Sequence, residues 1–257
     1  MSPRRVLVTG AAGRIGTAIA ERFCREGDTV VGVDFRPDDL ESAMKPFVTA
    51  GTATTVVADL RDATATDELI PQVWESTGPV DVLVNVAAYI PVDRFIEMTA
   101  ARWDEVMAVN LRAPMQLTVA LARLARDADR TASVVTISSG AATRARPGAA
   151  HYTTSKAAVE MMVRNAAIEL APDIRVNAVS PGFVPVDSPV NRVSAEYLRT
   201  LTGNPMGRPG HPGDIANAVH WIAGDEASWV TGSVLRVDGG ATAGNAALPL
   251  QNAGEDW

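Results

Sequence analysis

Arg5-Val6-Leu7-Val8-Thr9-Gly10-Ala11-Ala12-Gly13-Arg14-Ile15-Gly16 is the stretch on which the fold turns. A short apolar run of strand character passes into glycines at 10, 13 and 16, and a segment of helical pattern follows. Glycines so placed allow a tight turn and let the backbone approach a pyrophosphate closely. They also present amide groups at a helix N-terminus, whose dipole favours anions. An ordinary turn would use glycine too; it is the position between strand and helix that points to a dinucleotide. Beyond Gly16 the second strand ends in Asp34. A carboxylate there accepts hydrogen bonds from an adenosine ribose and repels a 2′-phosphate, so NAD is expected before NADP. Arg14 and Arg36 are the residues that could reach a 2′-phosphate instead.

Outward from this turn, the same alternation repeats along the chain. Apolar β-branched runs at Thr29–Val33, Thr55–Val57, Val80–Val84, Ser133–Ile137 and Ile174–Ala178 are separated by longer helical segments, and Ser233–Val237 closes the series. Strands that are apolar on both faces, each followed by a helix, predict an α/β fold. This is a doubly wound parallel sheet of the Rossmann type, about seven strands with helices on both faces. No composition break divides residues 1–257, which read as one domain. The Pro- and Gly-rich region gives a substrate loop at about 183–212, and residues 241–257 form a tail.

Composition excludes several classes of function. A formal net charge of −7, with basic residues scattered along the chain, argues against nucleic acid. No apolar run approaches the ~18 residues of a membrane span, and Val6 to Val8 is too short for a signal-peptide core, so a cytoplasmic enzyme without a membrane partner is expected. The single cysteine, Cys24, reads as a small buried hydrophobe. His151, His211 and His220 show no metal-ligand spacing, so no metal is expected. His151 could face a substrate, being next to Tyr152.

Tyr152-Thr153-Thr154-Ser155-Lys156 carries the chemistry. A spacing of four puts both side chains on one helical face. A free phenol has a pKa of about 10, too high for a base at neutral pH. A unit charge 4 Å away, at an effective dielectric of about 20, contributes roughly 4 kcal/mol, or about 3 pKa units before desolvation opposes it. On this reasoning Lys156 nearly suffices to activate Tyr152.

With these residues the sequence resembles the compact, single-domain branch of the short-chain dehydrogenase/reductase family, from about Arg5 to Gly240. Asp59-Leu60 is similar to the adenine-contacting segment after the third strand. Val84-Asn85-Val86-Ala87-Ala88 is similar to the segment that borders the cofactor. Asn110 matches the helix asparagine that holds a water beside the lysine, and Ser139 matches the catalytic serine. Asn177 to Gly182 resembles the segment that meets the nicotinamide, and Thr231 to Gly240 the closing strand. The resemblance implies a catalytic set of Asn110, Ser139, Tyr152 and Lys156. It implies cofactor contacts at Gly10, Gly13, Arg14, Ile15, Gly16, Asp34, Phe35, Asp59, Leu60, Asn85, Ala87, Tyr152, Lys156, Pro181, Gly182 and Val184. The implied reaction interconverts a secondary alcohol and a ketone by hydride transfer with NAD.

Three positions depart from the family pattern. Arg14 stands where the compact branch usually has its middle glycine, Ala87-Ala88 leans toward the extended branch, and Val186 replaces a threonine that binds the nicotinamide carboxamide. Asp187 or Ser188 could substitute there. Two other classes stay open: an NAD-dependent epimerase or dehydratase, and a non-catalytic NAD-binding regulator. The substrate is not legible. Tyr89 to Val92, Gly140 to Ala150 and Phe183 onward are expected to border its pocket, Arg144 and Arg146 could bind a carboxylate or phosphate, and Trp257 could pack over a neighbouring subunit's site. The resemblance also implies a homo-oligomer, tetramer or dimer, paired through Ala157, Ala158, Met161 and Met162, residues that could equally pack on the sheet.

Overall fold

The computed structural model describes residues 3–185 and 204–244. Seven strands, β1 (Arg5–Thr9), β2 (Thr29–Asp34), β3 (Ala53–Val57), β4 (Val82–Asn85), β5 (Ala132–Ile137), β6 (Ile174–Pro181) and β7 (Val234–Val237), form one sheet. Their order is β3-β2-β1-β4-β5-β6-β7 and every pairing is parallel. The expected fold class is therefore the observed one. β3 starts at Ala53, earlier than its apolar run, because a ladder to β2 needs backbone and not apolar side chains. Thr54 and Thr55 are exposed on this edge strand.

Alternation along each strand feeds two cores. Val6, Val8, Val30, Val82 and Val84 pack with Ile19 and Phe23 of α1 (Arg14–Arg25), Leu40 and Met44 of α2 (Pro37–Thr49), and Ile215 and Val219 of α7 (Pro212–Ala223). Leu7, Val31, Val33, Leu83 and Val134 face the other way. They meet α3 (Ala63–Thr77), α5 (Ala113–Asp127) and α6 (Ala150–Leu170); α4 (Ala100–Met107) leads into α5. A side-chain period of two, buried on both faces, needs a helical layer on each side.

The chain runs outward from β1 to β3 and then crosses back to β4, so the C-terminal ends of β1 and β4 lie side by side, with Thr9 opposite Asn85. Open α/β sheets bind ligands in the crevice at such a reversal. No helix among the described residues is long and apolar enough to cross a membrane.

Arg175 of β6 organises the far side of the sheet. Its guanidinium donates to Ile222 O at 2.8 Å, Ala223 O at 3.1 Å, Gly224 O at 3.1 Å and Val230 O at 3.2 Å. It thus satisfies the carbonyls orphaned at the C-terminus of α7. Partial burial pulls its pKa below the ordinary arginine value. Arg175→Met is expected to lower the unfolding free energy by about 2–4 kcal/mol, since part-buried carbonyls lose a charged donor. Urea titration followed by circular dichroism measures it; an unchanged midpoint counts against this capping role.

Candidate active site

At the switch point the glycine turn is set by close approach of the backbone. Gly10 has φ +69°, and a Cβ on it would fall 2.8 Å from Ala87 N; one on Gly16 would fall 2.1 Å from Gly10 O. Gly13 has φ −81° and its nearest neighbour would be 3.3 Å away, so it is the least constrained of the three. Thr9 Oγ1 accepts from Val86 N at 3.1 Å and Ala87 N at 3.3 Å, which ties the end of β1 to the turn after β4. Gly182 is equally confined: a Cβ there would meet Asp238 Cα at 2.7 Å.

These residues fit a dinucleotide. α1 begins after Gly13 without a capping side chain, which leaves its first turn to an anion. Asn85 donates to Thr136 Oγ1 at 3.3 Å, yet its buried Oδ1 has no partner among the described residues. Such an orphan acceptor costs about 1–3 kcal/mol. Asp34, at the end of β2, accepts from Ala12 N at 3.3 Å and from Arg36 N and Nε, each at 3.2 Å. Arg36 also pairs with Asp39 at 2.8 Å. Phe35 is exposed, with the Arg36 and Arg61 guanidinium carbons each 5.6 Å from its ring centroid.

Elsewhere the expected cofactor contacts divide by atom type. Leu60 and Val184 are buried in the cores and Ile15 packs against one, so any ligand contact there runs through main chain. Asp59 is partly buried and held by Arg61 at 2.6 Å, which keeps its carboxyl below the usual range. Asp62, not Asp59, caps α3. Arg14 is exposed at the mouth, and Pro181 is the last residue of β6, opposite Val237. Val186, Asp187, Ser188 and Trp257 lie outside the described residues.

Ser139, Tyr152 and Lys156 come together where β5 ends and α6 begins. Ser139 Oγ accepts from Ala141 N at 3.1 Å, and Ser139 is close enough to the Tyr152 phenol to favour its ionised form. Lys156 Nζ donates to Ile137 O at 2.7 Å and stands 5.8 Å from the Tyr152 ring centroid. Asn110 lies in a π-helical stretch, Ala108–Arg112, between α4 and α5. Such single-turn bulges often sit at functional sites. Its Nδ2 donates to Tyr89 O and Ser155 Oγ, both at 3.1 Å, and its Oδ1 accepts from Tyr89 N at 2.7 Å. Both donors are spent on protein, and the side chain ties α6 to the loop after β4.

Charge balance corrects one expectation. Burial pushes the Tyr152 phenol above its ordinary pKa, opposed by the Ser139 hydrogen bond and by the Arg146 cation. Burial also lowers Lys156 to about 8. The ammonium points at a carbonyl and at the ring face, so Lys156 does not by itself make a phenolate; desolvation wins. Arg146, 5.7 Å from the Tyr152 centroid, is the cation that assists. Arg144 instead donates to Ala241 O.

Sequence reading missed two polar ties. Ser138 Oγ donates to buried Glu160 at 2.8 Å, and a glutamate one turn beyond Lys156 on an inward face was the available signal. His151 is fully buried: Nδ1 accepts from Tyr152 N at 2.7 Å and Nε2 meets Asp93 at 3.2 Å, so it does not face a substrate. Cys24 is only partly buried and donates to Thr52 O at 3.6 Å. No group of three potential metal ligands occurs among the described residues.

Known proteins resemble this chain along most of its length. A family model described as enoyl-(acyl carrier protein) reductase matches residues 10–242. The 3-oxoacyl-[acyl-carrier-protein] reductase of Thermotoga maritima is 35% identical over 238 residues, 91% of this chain and 96% of that protein. Among solved structures, a gluconate 5-dehydrogenase from Beutenbergia cavernae described as putative and NAD(P)-dependent, with bound NADP, superposes with a TM-score of 0.87 at 34% identity. That match covers 94% of this chain and 97% of the other. NAD+-bound xylitol dehydrogenase gives 0.84 at 28% identity, over 92% and 98%. The relatives thus hold either dinucleotide.

Because the Lys156 pKa falls from 10.5 to about 8 on folding, the unfolded chain binds the extra proton between those values, and stability rises with pH across that window. The depression corresponds to on the order of 3 kcal/mol. Comparing wild type with Lys156→Met by urea unfolding at pH 7.5 and 10 isolates it, since other titrating groups cancel. A difference independent of pH counts against a buried, charged lysine.

Proposed function

The chain belongs to the short-chain dehydrogenase/reductase family of oxidoreductases, and we propose that it interconverts a secondary alcohol and a ketone using NAD. The observation that carries this reading is the convergence of Ser139, which acts on the Tyr152 phenol, and the Lys156 ammonium, which stands over the same ring. Tyr152 moves the proton at its Oη. Its resting form is the phenol, which donates to a carbonyl oxygen; in the oxidising direction it must first lose that proton. Ser139 Oγ holds the substrate oxygen, and Arg146 and Lys156 supply the positive field that brings the phenol toward ionisation. When bound, the dinucleotide supplies the hydride acceptor or donor. Lys156 offers donors to its ribose, the first turn of α1 and the amides around Gly13 to Gly16 hold the pyrophosphate, and Asn85, Ala87, Pro181 and Gly182 border the nicotinamide.

NAD is favoured over NADP by charge. Arg36 is already shared between Asp34 and Asp39, and Arg61 is paired with Asp59, so a 2′-phosphate beside Asp34 would have to compete with carboxylates for these two guanidiniums.

Self-association is part of the same reading. Ala158, Met161 and Met162 of α6 face away from the sheet and, with Leu111, Met115 and Val119, line an apolar groove of about 550 Å³. A second copy is its occupant; light scattering that gives a monomer at micromolar concentration overturns this assembly.

The test of function is NADH absorbance with a panel of secondary alcohols, repeated with NADP. Steady NADH formation, faster than with NADP, is expected. Isomerised substrate without net NADH would indicate an epimerase, and binding without turnover a regulator. Tyr152→Phe is expected to keep dinucleotide affinity while losing about 10²–10⁴ of turnover; more than a tenth of wild-type activity refutes the role.

A further inference from the structure

Tyr152 is held from both sides of its peptide unit by one closed circuit of hydrogen bonds. On one side its N–H donates to His151 Nδ1 at 2.7 Å, and His151 Nε2 meets Asp93 Oδ2 at 3.2 Å. Arg102 Nε pairs with the same Asp93 oxygen at 3.2 Å, and Arg102 Nη1 donates to Tyr89 Oη. On the other side Ser155 Oγ donates to Tyr152 O at 2.7 Å and accepts from Asn110 Nδ2 at 3.1 Å. Asn110 in turn binds the main chain of Tyr89 through both ends of its carboxamide. The two arms therefore meet at Tyr89, by its side chain and by its backbone.

Helix chemistry explains why a histidine stands here. The first N–H groups of a helix have no intrahelical acceptor. The residue at the start of α6 is Ala149, whose side chain cannot cap. His151 supplies the missing acceptor from inside the first turn, which requires an unprotonated Nδ1. The remaining ring proton is then on Nε2, directed at Asp93, and Arg102 holds that carboxylate in place. The imidazole is fully buried, so this tautomer has no competing water.

We propose that His151, in its neutral Nε2–H tautomer oriented by Asp93 and Arg102, is a positioning residue that fixes the main chain of Tyr152 for proton transfer. The proposal rests on the assignment of Tyr152 as the proton-transferring group. Its effect passes through geometry alone: a phenol displaced by a fraction of an ångström leaves the hydrogen bond to Ser139, and a misplacement of about 1 Å costs up to ~10²-fold in rate.

Two substitutions separate positioning from bulk stability. His151→Asn keeps a short side chain whose carbonyl oxygen lies near the Nδ1 position and accepts the Tyr152 N–H. His151→Gln places its amide near Nε2 and leaves that N–H without its acceptor. With the fastest alcohol of the panel, Gln is expected to lower kcat about 10- to 100-fold, with the KM for NAD within about twofold of wild type, and Asn to recover kcat to within about fivefold. In the wild type, ¹⁵N spectra of labelled histidine should show the His151 ring protonated on Nε2 only. A Gln variant within about twofold of wild-type kcat, equal losses in both variants, or an Nδ1-protonated ring overturns the proposal. Absence of turnover in the wild type would instead refute the dehydrogenase reading, and the ¹⁵N spectra would still decide the tautomer.

Discussion

Removing the Lys156 ammonium from water is the constraint on which the rest of the site depends. A buried cation costs several kcal/mol unless it is paired or loses its proton. Among the described residues no carboxylate pairs with it; it has the Ile137 carbonyl and the face of Tyr152. The carbonyl lies at the last residue of β5, so satisfying it fixes how far α6 stands from the strand that leads into Ser139. One turn on, the Ser138–Glu160 hydrogen bond sets the same spacing again. What the protein leaves uncompensated shows as a pKa near 8. An under-satisfied cation of this kind binds acceptor oxygens strongly, because the ligand restores hydrogen bonds that folding removed.

Order in two parts of the site follows from different physics. Around Gly10, Gly16 and Gly182, backbone lies against backbone with no room for Cβ, so geometry is fixed by steric exclusion. Around Tyr152 it is fixed by directional bonds, among side chains that each have a further partner. Steric exclusion tolerates no substitution but needs only glycine. Directional networks need several residue types at once, and half-satisfied ones are worse than none.

That contrast decides how much was legible in the sequence. Glycine spacing and strand-length apolar runs are local signals, and they gave the sheet, its parallel sense and the place of the crevice. The Tyr152 and Lys156 spacing gave the shared helix face. Their electrostatics did not follow, because a Coulomb estimate at 4 Å assumes that the ammonium faces the hydroxyl and leaves out burial. In the fold it faces the ring, and desolvation outweighs it. His151 read as a possible substrate contact because its two partners are Asp93, far away in sequence, and the very next backbone amide. That Tyr89 and Ser155 take up both donors of Asn110 was not legible, because nothing local in sequence brings the three together.

The circuit through Tyr89 also bears on why substrate choice is hard to read. Loops at the carboxyl ends of strands usually vary freely over a fixed scaffold, so that specificity can change without cost to chemistry. In this chain the loop after β4 is not independent: Asp93 N donates to Gly148 O at 3.1 Å, Asp93 holds His151, and Tyr89 holds Asn110. A change of pocket shape made at Tyr89 or Asp93 is transmitted to the main chain of Tyr152. The shape of the loop after β4 and the placement of the phenol are therefore coupled, and a substitution at Tyr89 or Asp93 acts on both.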